Sequence, residues 1–176
     1  MFGYCTDETE HAMPLSLVLA HKLMERLHQL RRSGVLDCAL PDSKSQVTVE
    51  DAYLCQVCED AFDGGACVPL RVHTVDISAQ HKPSVTLEQL REDLMEHVIK
   101  SVKPPKFIDD ATIYYLNPCG SFCIGRPQSD AGLIGGKIIV DTYGGWGAPT
   151  EVDRSAGARW VAKSLVKTGV CRRCLV

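Results

Sequence analysis

Leucine recurs every three or four positions, at 15, 19, 23, 27 and 30, while His21, Glu25 and Gln29 fall on the opposite side of the repeat. This spacing matches the 3.6-residue period of an α-helix and predicts one over residues 14–32 with a single apolar face. Gly34, just after a basic last turn, is typical of the residue that ends a helix. A helix of this kind must pack its apolar face against another element of the fold.

Two stretches further along the chain have the pattern of strands. Residues 46–49 alternate in polarity, and residues 70–78 follow a Gly-Gly break. The Pro-Asp-Ser-Lys sequence over residues 41–44 predicts a turn before the first strand. We therefore expect an antiparallel pair of strands with a long connection over residues 51–68.

A second helix is predicted to begin at Thr86, where Thr-x-x-Gln places Gln89 for a capping box, and to end before Pro104. A helix packed on antiparallel strands is the α+β arrangement, so residues 1–104 are interpreted as one such unit. Its apolar face is formed by Leu87, Leu90, Leu94, Val98 and Val102.

Residues 105–176 begin a second unit. Strands are predicted over residues 112–116 and 137–140, followed by a helix that ends at Gly169. The chain then stops inside a further apolar strand, which suggests a fragment. The predicted fold class is α+β, with antiparallel sheets, helices packed on one face, and two units of which the second is truncated.

Charge and hydropathy exclude some classes of partner. The chain has 19 Lys and Arg against 22 Asp and Glu, for a net charge of −3, without a long run of one sign. Nothing in this distribution favours nucleic acid or an acidic membrane surface. The N-terminal segment lacks the pattern of a secretory signal, and no apolar run is long enough to span a bilayer. A cytoplasmic protein without a nucleic-acid or membrane partner is therefore expected.

Nine cysteines, an odd number, favour reduced thiols over a disulfide framework. Two Cys-x-x-Cys pairs, Cys55 with Cys58 and Cys171 with Cys174, provide four thiolates that a structural Zn²⁺ would need. Their separation is far longer than in a compact zinc ribbon, so packing as small hydrophobic side chains is the favoured interpretation. Zinc binding is the alternative, and a thioredoxin-like redox pair is favoured less than either because neither pair opens a helix after a strand.

Residues 117–137 contain glycines at 120, 125, 132, 135 and 136 and end in Lys137. Bare backbone N–H groups and a nearby ammonium are typical of phosphate sites. Neither Gly-x-x-x-x-Gly-Lys-Ser/Thr nor Gly-x-Gly-x-x-Gly is present, so a loop that merely turns the chain stays an open alternative.

Several segments closely resemble the S-adenosylmethionine synthetase family, also called methionine adenosyltransferase. They include Pro41-Asp-Ser-Lys44, Gln46-Val-Thr-Val49 and Lys137-Ile-Ile-Val-Asp-Thr-Tyr-Gly-Gly-Trp-Gly147. The resemblance runs in order along the whole chain. It implies the central domain over residues 1–104 and part of the C-terminal domain over residues 105–176, within a three-domain enzyme that forms dimers.

The resemblance implies a reaction: ATP, L-methionine and water give S-adenosylmethionine, phosphate and diphosphate, with Mg²⁺ and K⁺ as cofactors. Lys44 and Lys137 correspond to catalytic lysines that meet phosphate oxygens. Phe122 corresponds to the aromatic residue beside adenine, and Asp130 to the aspartate near nucleotide and methionine. The ATP-binding residues implied are Asp42, Ser43, Lys44, Phe122, Asp130 and Lys137.

The chain also departs from the family pattern. Ser121 and Gly136 occupy positions where the family has arginine, and a lysine-containing glycine-rich loop expected after Ala148 is absent. The main metal ligands of the family are missing as well, and no metal ligand is assigned in this chain. We therefore expect no synthetase activity from this chain alone. A homodimer or a hetero-oligomer with a complete synthetase is the expected assembly, and a non-catalytic pseudoenzyme or interaction subunit is the alternative function.

Overall fold

The computed structural model describes residues 2–53, 67–102, 106–125, 128, 137–147 and 156–176. The strands are β1 (Tyr4–Thr6), β2 (Ala39–Tyr53), β3 (Cys67–His81), β4 (Ile113–Leu116) and β5 (Arg173–Leu175). The α-helices are α1 (Leu15–Ser33), α2 (Leu87–Asp93), α3 (Lys100–Val102), α4 (Ile138–Asp141) and α5 (Ala156–Lys167). A π-helical segment, Leu94–Ile99, joins α2 to α3, and a 3-10 turn, Tyr143–Gly145, follows α4.

The chain divides into two compact units. One, here called the central unit, comprises Leu19–Thr48 and Arg71–Leu133. The other, here called the terminal unit, comprises Met1–Val18, Val49–Leu70 and Ile134–Val176. The predicted division at residue 104 stays a prediction.

The central unit is built on a sheet in the order β2-β3-β4. β4 runs parallel to β3, with Thr74 opposite Ile113 and Ile77 opposite Leu116. Leu23 of α1, Val75 of β3 and Ile99 line one small apolar cavity of about 20 Å³, so both helical segments pack on the sheet. The α+β class is therefore confirmed, with a sheet that contains a parallel pair as well.

The leucine repeat correctly predicted α1. All five leucines of the repeat are buried, with at most 7% of their surface exposed. The helix ends where Gly34 adopts a φ of 77°, a left-handed conformation that glycine reaches without steric cost.

The predicted turn over residues 41–44 is wrong, because these residues lie inside β2. Turn-forming residues give only a local preference, and pairing along the neighbouring β3 outweighs it. Among the described strands, β2 lies at an edge of the sheet, where the missing N–H of Pro41 is tolerated. Both predicted strands exist but are longer than their alternating patterns.

The second helix begins as predicted: the Thr86 side chain accepts a hydrogen bond from the Gln89 backbone N–H at 3.4 Å. Its π-helical middle was not predicted. The wider turn places two adjacent side chains in the core, with Val98 0% and Ile99 2% exposed. A hydrophobic period alone does not distinguish this turn from an α-helical one. The helical run ends at Val102, and the prolines expected to end it lie outside the described residues.

The terminal unit pairs the two ends of the chain. β1 and β5 form an antiparallel ladder in which Tyr4 lies opposite Leu175. Arg159 of α5 donates hydrogen bonds to the backbone carbonyls of Tyr4, His11 and Ala12. Gly3 lies so close to α5 that a Cβ would approach the Arg159 backbone nitrogen to 2.1 Å, so a side chain there is excluded.

The predicted strand over residues 137–140 is wrong, because α4 occupies this position. The backbone N–H groups of Asp141 and Thr142 donate to the carbonyls of Lys137 and Ile138 at 3.0 and 2.9 Å. Three β-branched residues favour a strand only when another strand pairs with them, and none does among the described residues. The predicted strand over residues 112–116 and the helix end at Gly169, with a φ of 79°, are confirmed.

No helix within the described residues combines the length and apolar character needed to cross a bilayer.

One carboxylate is poorly accommodated in β3. The Oδ1 atom of Asp76 is buried and has no hydrogen-bond partner among the described residues. We expect Asp76→Val to raise the free energy of unfolding by about 1–3 kcal/mol, because leaving a buried polar atom unsatisfied costs about that much. Thermal melting will show a rise of roughly 2–4 °C per kcal/mol. Asp110→Val, at an exposed position, is the control, and an unchanged or lower melting temperature for Asp76→Val would contradict the prediction.

A second prediction concerns pH. Burial raises the pKa of the Asp51 carboxyl above its ordinary value. A raised folded-state pKa means that Asp51 contributes most stability below its unfolded-state pKa of about 3.9, and that this contribution is lost as pH rises through the folded-state pKa. Asp51→Asn should therefore gain stability relative to the unmodified chain between pH 4 and pH 7, measured by urea unfolding. Asp110→Asn, at an exposed position, is the control substitution, and a pH-independent stability difference between Asp51→Asn and the unmodified chain would refute the prediction.

Candidate functional site

β2 carries three of the predicted site residues: Asp42, Ser43 and Lys44. The Ser45 hydroxyl donates to the Ala20 carbonyl of α1 at 2.9 Å, which identifies the helix-covered face of the strand. Because side chains alternate along a strand, Asp42 and Lys44 share the opposite face. Lys44 is exposed there, so its ammonium is accessible to an anion.

Gln80, next to the end of β3, joins β2 to the segment formed by residues 121–125. Its Oε1 atom accepts the Asp42 backbone N–H at 3.3 Å, and its Nε2 donates to the Cys123 carbonyl at 3.1 Å. Gly125 lies against the same amide group, at a distance where a Cβ would be 2.6 Å from it. One side chain therefore fixes the spacing between β2 and this segment.

His81, the last residue of β3, is 2% exposed and holds Phe122 through two hydrogen bonds. The His81 backbone N–H donates to the Phe122 carbonyl at 2.9 Å, and the Phe122 N–H donates to His81 Nε2 at 3.1 Å. Since a backbone amide can only donate, Nε2 must be unprotonated. The ring proton is then on Nδ1, 3.0 Å from the Lys82 carbonyl that accepts it.

The central unit thus brings Asp42 and Phe122 into one hydrogen-bonded network through Gln80 and His81. The Phe122 ring is half-buried, which leaves part of its surface open to a stacking partner. The exposed Lys44 ammonium and the half-buried Phe122 ring are chemically suited to a ligand with an anionic group and a flat ring.

The other predicted residues have different positions. Lys137 is exposed at the start of α4, in the terminal unit. Asp130 lies outside the described residues, as do the glycines at 132, 135 and 136. The assignment of all six residues to an ATP site stays a prediction.

Sequence reasoning missed Gln80 and His81. The available signal was two large polar residues at the end of a strand whose preceding residues, Val75, Ile77 and Ala79, alternate as apolar and buried. Their partners are distant in sequence, so the pattern alone does not reveal which groups they bind.

Metal ligands are not grouped in the described part of the chain, where no set of three or more His, Cys, Asp or Glu side chains is positioned to hold an ion. These side chains alone therefore supply no set of three ligands for Mg²⁺ in the described part of the chain. For the zinc hypothesis, Cys55 and Cys58 lie outside the described residues. Cys171 and Cys174 are half-buried against an apolar cluster, as the interpretation of small hydrophobic side chains predicts.

Comparison with protein families covers nearly the whole chain. Residues 1–122 match the model for the S-adenosylmethionine synthetase central domain. Residues 124–176 match the model for the S-adenosylmethionine synthetase C-terminal domain. The boundary between the matches falls in the segment that Gln80 and His81 hold.

Gln80→Leu tests the link between β2 and residues 121–125. The variant keeps the side-chain volume but removes both hydrogen bonds, so we expect a loss of about 1–3 kcal/mol of unfolding free energy. Urea titration measures it, with Gln46→Leu at an exposed position of β2 as the matched control. Equal effects of the two substitutions would show that the link contributes nothing.

Proposed function

Because this chain belongs to the S-adenosylmethionine synthetase family, we propose that its central unit supplies part of an ATP site of the methionine adenosyltransferase type. The reaction at a complete site joins the methionine sulfur to C5′ of ATP, giving S-adenosylmethionine, phosphate and diphosphate. The network linking Asp42 to Phe122 through Gln80 and His81 is the observation that carries the proposal.

Each residue has a role in this proposal. Lys44 donates to phosphate oxygens from the exposed face of β2, and Phe122 packs beside the adenine. Asp42 and Ser43 contribute oxygen atoms to the nucleotide site. Lys137 is the second catalytic lysine and pairs with the phosphates as a point charge.

Further parts of the proposal lie outside the described residues or outside the chain. Asp130 orients nucleotide and methionine. Mg²⁺ and K⁺ neutralise the charge of the leaving triphosphate in a complete site. The main ligands for these ions come from residues that this chain lacks, so we derive no step through them.

We place the protein in the cytoplasm.

The chain alone is proposed to be inactive. Ser121, exposed beside Phe122, cannot carry the positive charge that the family places there, and Gly136 replaces a second arginine. Loss of one arginine that stabilises transferring phosphate costs roughly 10³-fold or more in rate. Two such losses, together with the missing lysine-containing loop, remove most of the transition-state stabilisation.

A second candidate function follows from Ser121. A protein that keeps the folded domains but lacks the arginine charges that the family places around the phosphates is suited to act as a non-catalytic subunit of a complete synthetase. Co-purification with a full-length synthetase at fixed stoichiometry would support it, and a monodisperse monomer in the presence of that enzyme would contradict it. A homodimer of this chain detected by sedimentation would favour self-association over assembly with a complete synthetase.

Isothermal titration with a non-hydrolysable ATP analogue tests nucleotide binding. We expect weak binding that Lys44→Ala reduces about tenfold or more, since a charged hydrogen bond contributes about 1.5–3 kcal/mol. Lys22→Ala, which removes an exposed lysine from α1, should leave the affinity unchanged. Binding undiminished in the double variant Lys44→Ala/Lys137→Ala would overturn the proposed site.

Incubation of the purified chain with ATP, L-methionine, Mg²⁺ and K⁺ tests the proposed inactivity. No S-adenosylmethionine should be detected by mass spectrometry. Its formation would contradict the argument from the missing arginines.

A further inference from the structure

Three cysteines of the terminal unit meet beneath α5. Cys5 of β1 and Cys174 of β5 are directly opposite each other in the antiparallel ladder. Opposite residues in such a ladder direct their side chains to the same face, with Cα atoms about 5.5 Å apart at hydrogen-bonded positions. Both side chains pack in an apolar cluster with Ala162 and Val166 of α5.

Cys171 joins this cluster because the chain bends. In a straight strand, residues three apart point to opposite faces. Here the chain bends at Arg172 and the strand starts only at Arg173, and the side chains of Cys171 and Cys174 both pack against the same small apolar cluster beneath α5.

The bend is held on its upstream side by the end of α5. The Gly169 N–H donates to the Val166 carbonyl at 3.1 Å, and the Val170 N–H donates to the Leu165 carbonyl at 3.2 Å. This pair of bonds is the Schellman arrangement, which fixes where the chain leaves a helix. Cys171 is the next residue, so its position is set by the helix end.

The downstream side is held by Asp7. Its backbone N–H donates to the Arg172 carbonyl at 2.9 Å, and its Oδ2 atom accepts from Arg172 Nε at 2.6 Å. Both flanks of the bend are therefore anchored, and the Cys171 and Cys174 thiols are preorganised for contact. Cys5 is fully buried, whereas Cys171 and Cys174 are half-buried and open to a small reagent.

We propose that Cys171 and Cys174 are a redox modification site that closes an intrachain disulfide when a small-molecule disulfide such as oxidised glutathione supplies the oxidising equivalents. The Cys171 thiolate attacks a glutathione sulfur, forming a mixed disulfide and releasing one glutathione thiolate. The Cys174 thiolate then attacks the Cys171 sulfur and releases the second. The protein thiols lose two electrons and two protons, and oxidised glutathione becomes two molecules of reduced glutathione.

Cys5 stays reduced beneath this pair, because it is closed to the reagent. Burial raises the pKa of the Cys174 thiol, so little thiolate is present at neutral pH and the second step accelerates as pH rises.

The sequence offers a direct assay. Trypsin cleaves after Arg172 and Arg173, so residues 168–172 and 174–176 remain joined only by the proposed disulfide. The chain is equilibrated with glutathione buffers of graded ratio, remaining thiols are alkylated in acid, and the linked peptide is quantified by mass spectrometry. We expect near-complete linkage at ratios where Cys119, exposed outside the cluster, is still alkylated.

The same titration in 8 M urea isolates the contribution of the fold. Preorganisation predicts an equilibrium constant for linkage at least tenfold larger in the folded chain, equivalent to about 30 mV. Cys171→Ser must abolish the linked peptide, and the matched control Cys119→Ser must leave it unchanged. Equal constants in folded and unfolded chains, a Cys5–Cys174 linkage instead, or thiols that stay separately alkylated at every ratio would overturn the proposal.

Discussion

The central unit depends on β3 having a neighbour on each side. Its backbone pairs with β2 and β4, its buried apolar side chains lie in the core, and its last two side chains make the contacts that reach residues 42 and 121–125. Gln80 reaches the backbone of Asp42 on one side and that of Cys123 on the other. His81 adds two hydrogen bonds to Phe122. The spacing between residues far apart in sequence is therefore set by one strand end, and the candidate nucleotide site inherits its geometry from it.

The terminal unit is held together by a different set of contacts. β1 and β5 are short, and a two-stranded ladder is marginally stable by itself. Arg159 of α5 supplies hydrogen bonds to backbone carbonyls near β1, and Gly3 permits the close approach this requires. The cysteine cluster lies under the same helix. The arrangement of these cysteines follows from the register of the β1–β5 ladder and from the way the chain leaves α5.

Sequence alone predicted what depends on repeated local patterns. The leucines of α1 and the Thr86 cap specify their helices because each acts within a few residues of its partner. The turn over residues 41–44 and the strand over residues 137–140 were wrong because both outcomes depend on whether a neighbouring strand exists. The candidate site residues came from family resemblance. Gln80 and His81 were missed because their partners lie 38 and 41 residues away along the chain, beyond the range of a local sequence pattern.

The central claim is that His81 holds Phe122 through an unprotonated Nε2. Long-range ¹H–¹⁵N correlation spectra of the complete chain report directly which ring nitrogen carries the proton. The structure predicts a neutral ring protonated at Nδ1, with Nε2 accepting from the Phe122 amide. A ring protonated at Nε2 could not accept that hydrogen bond, and finding one would contradict the account of how the candidate site is held together.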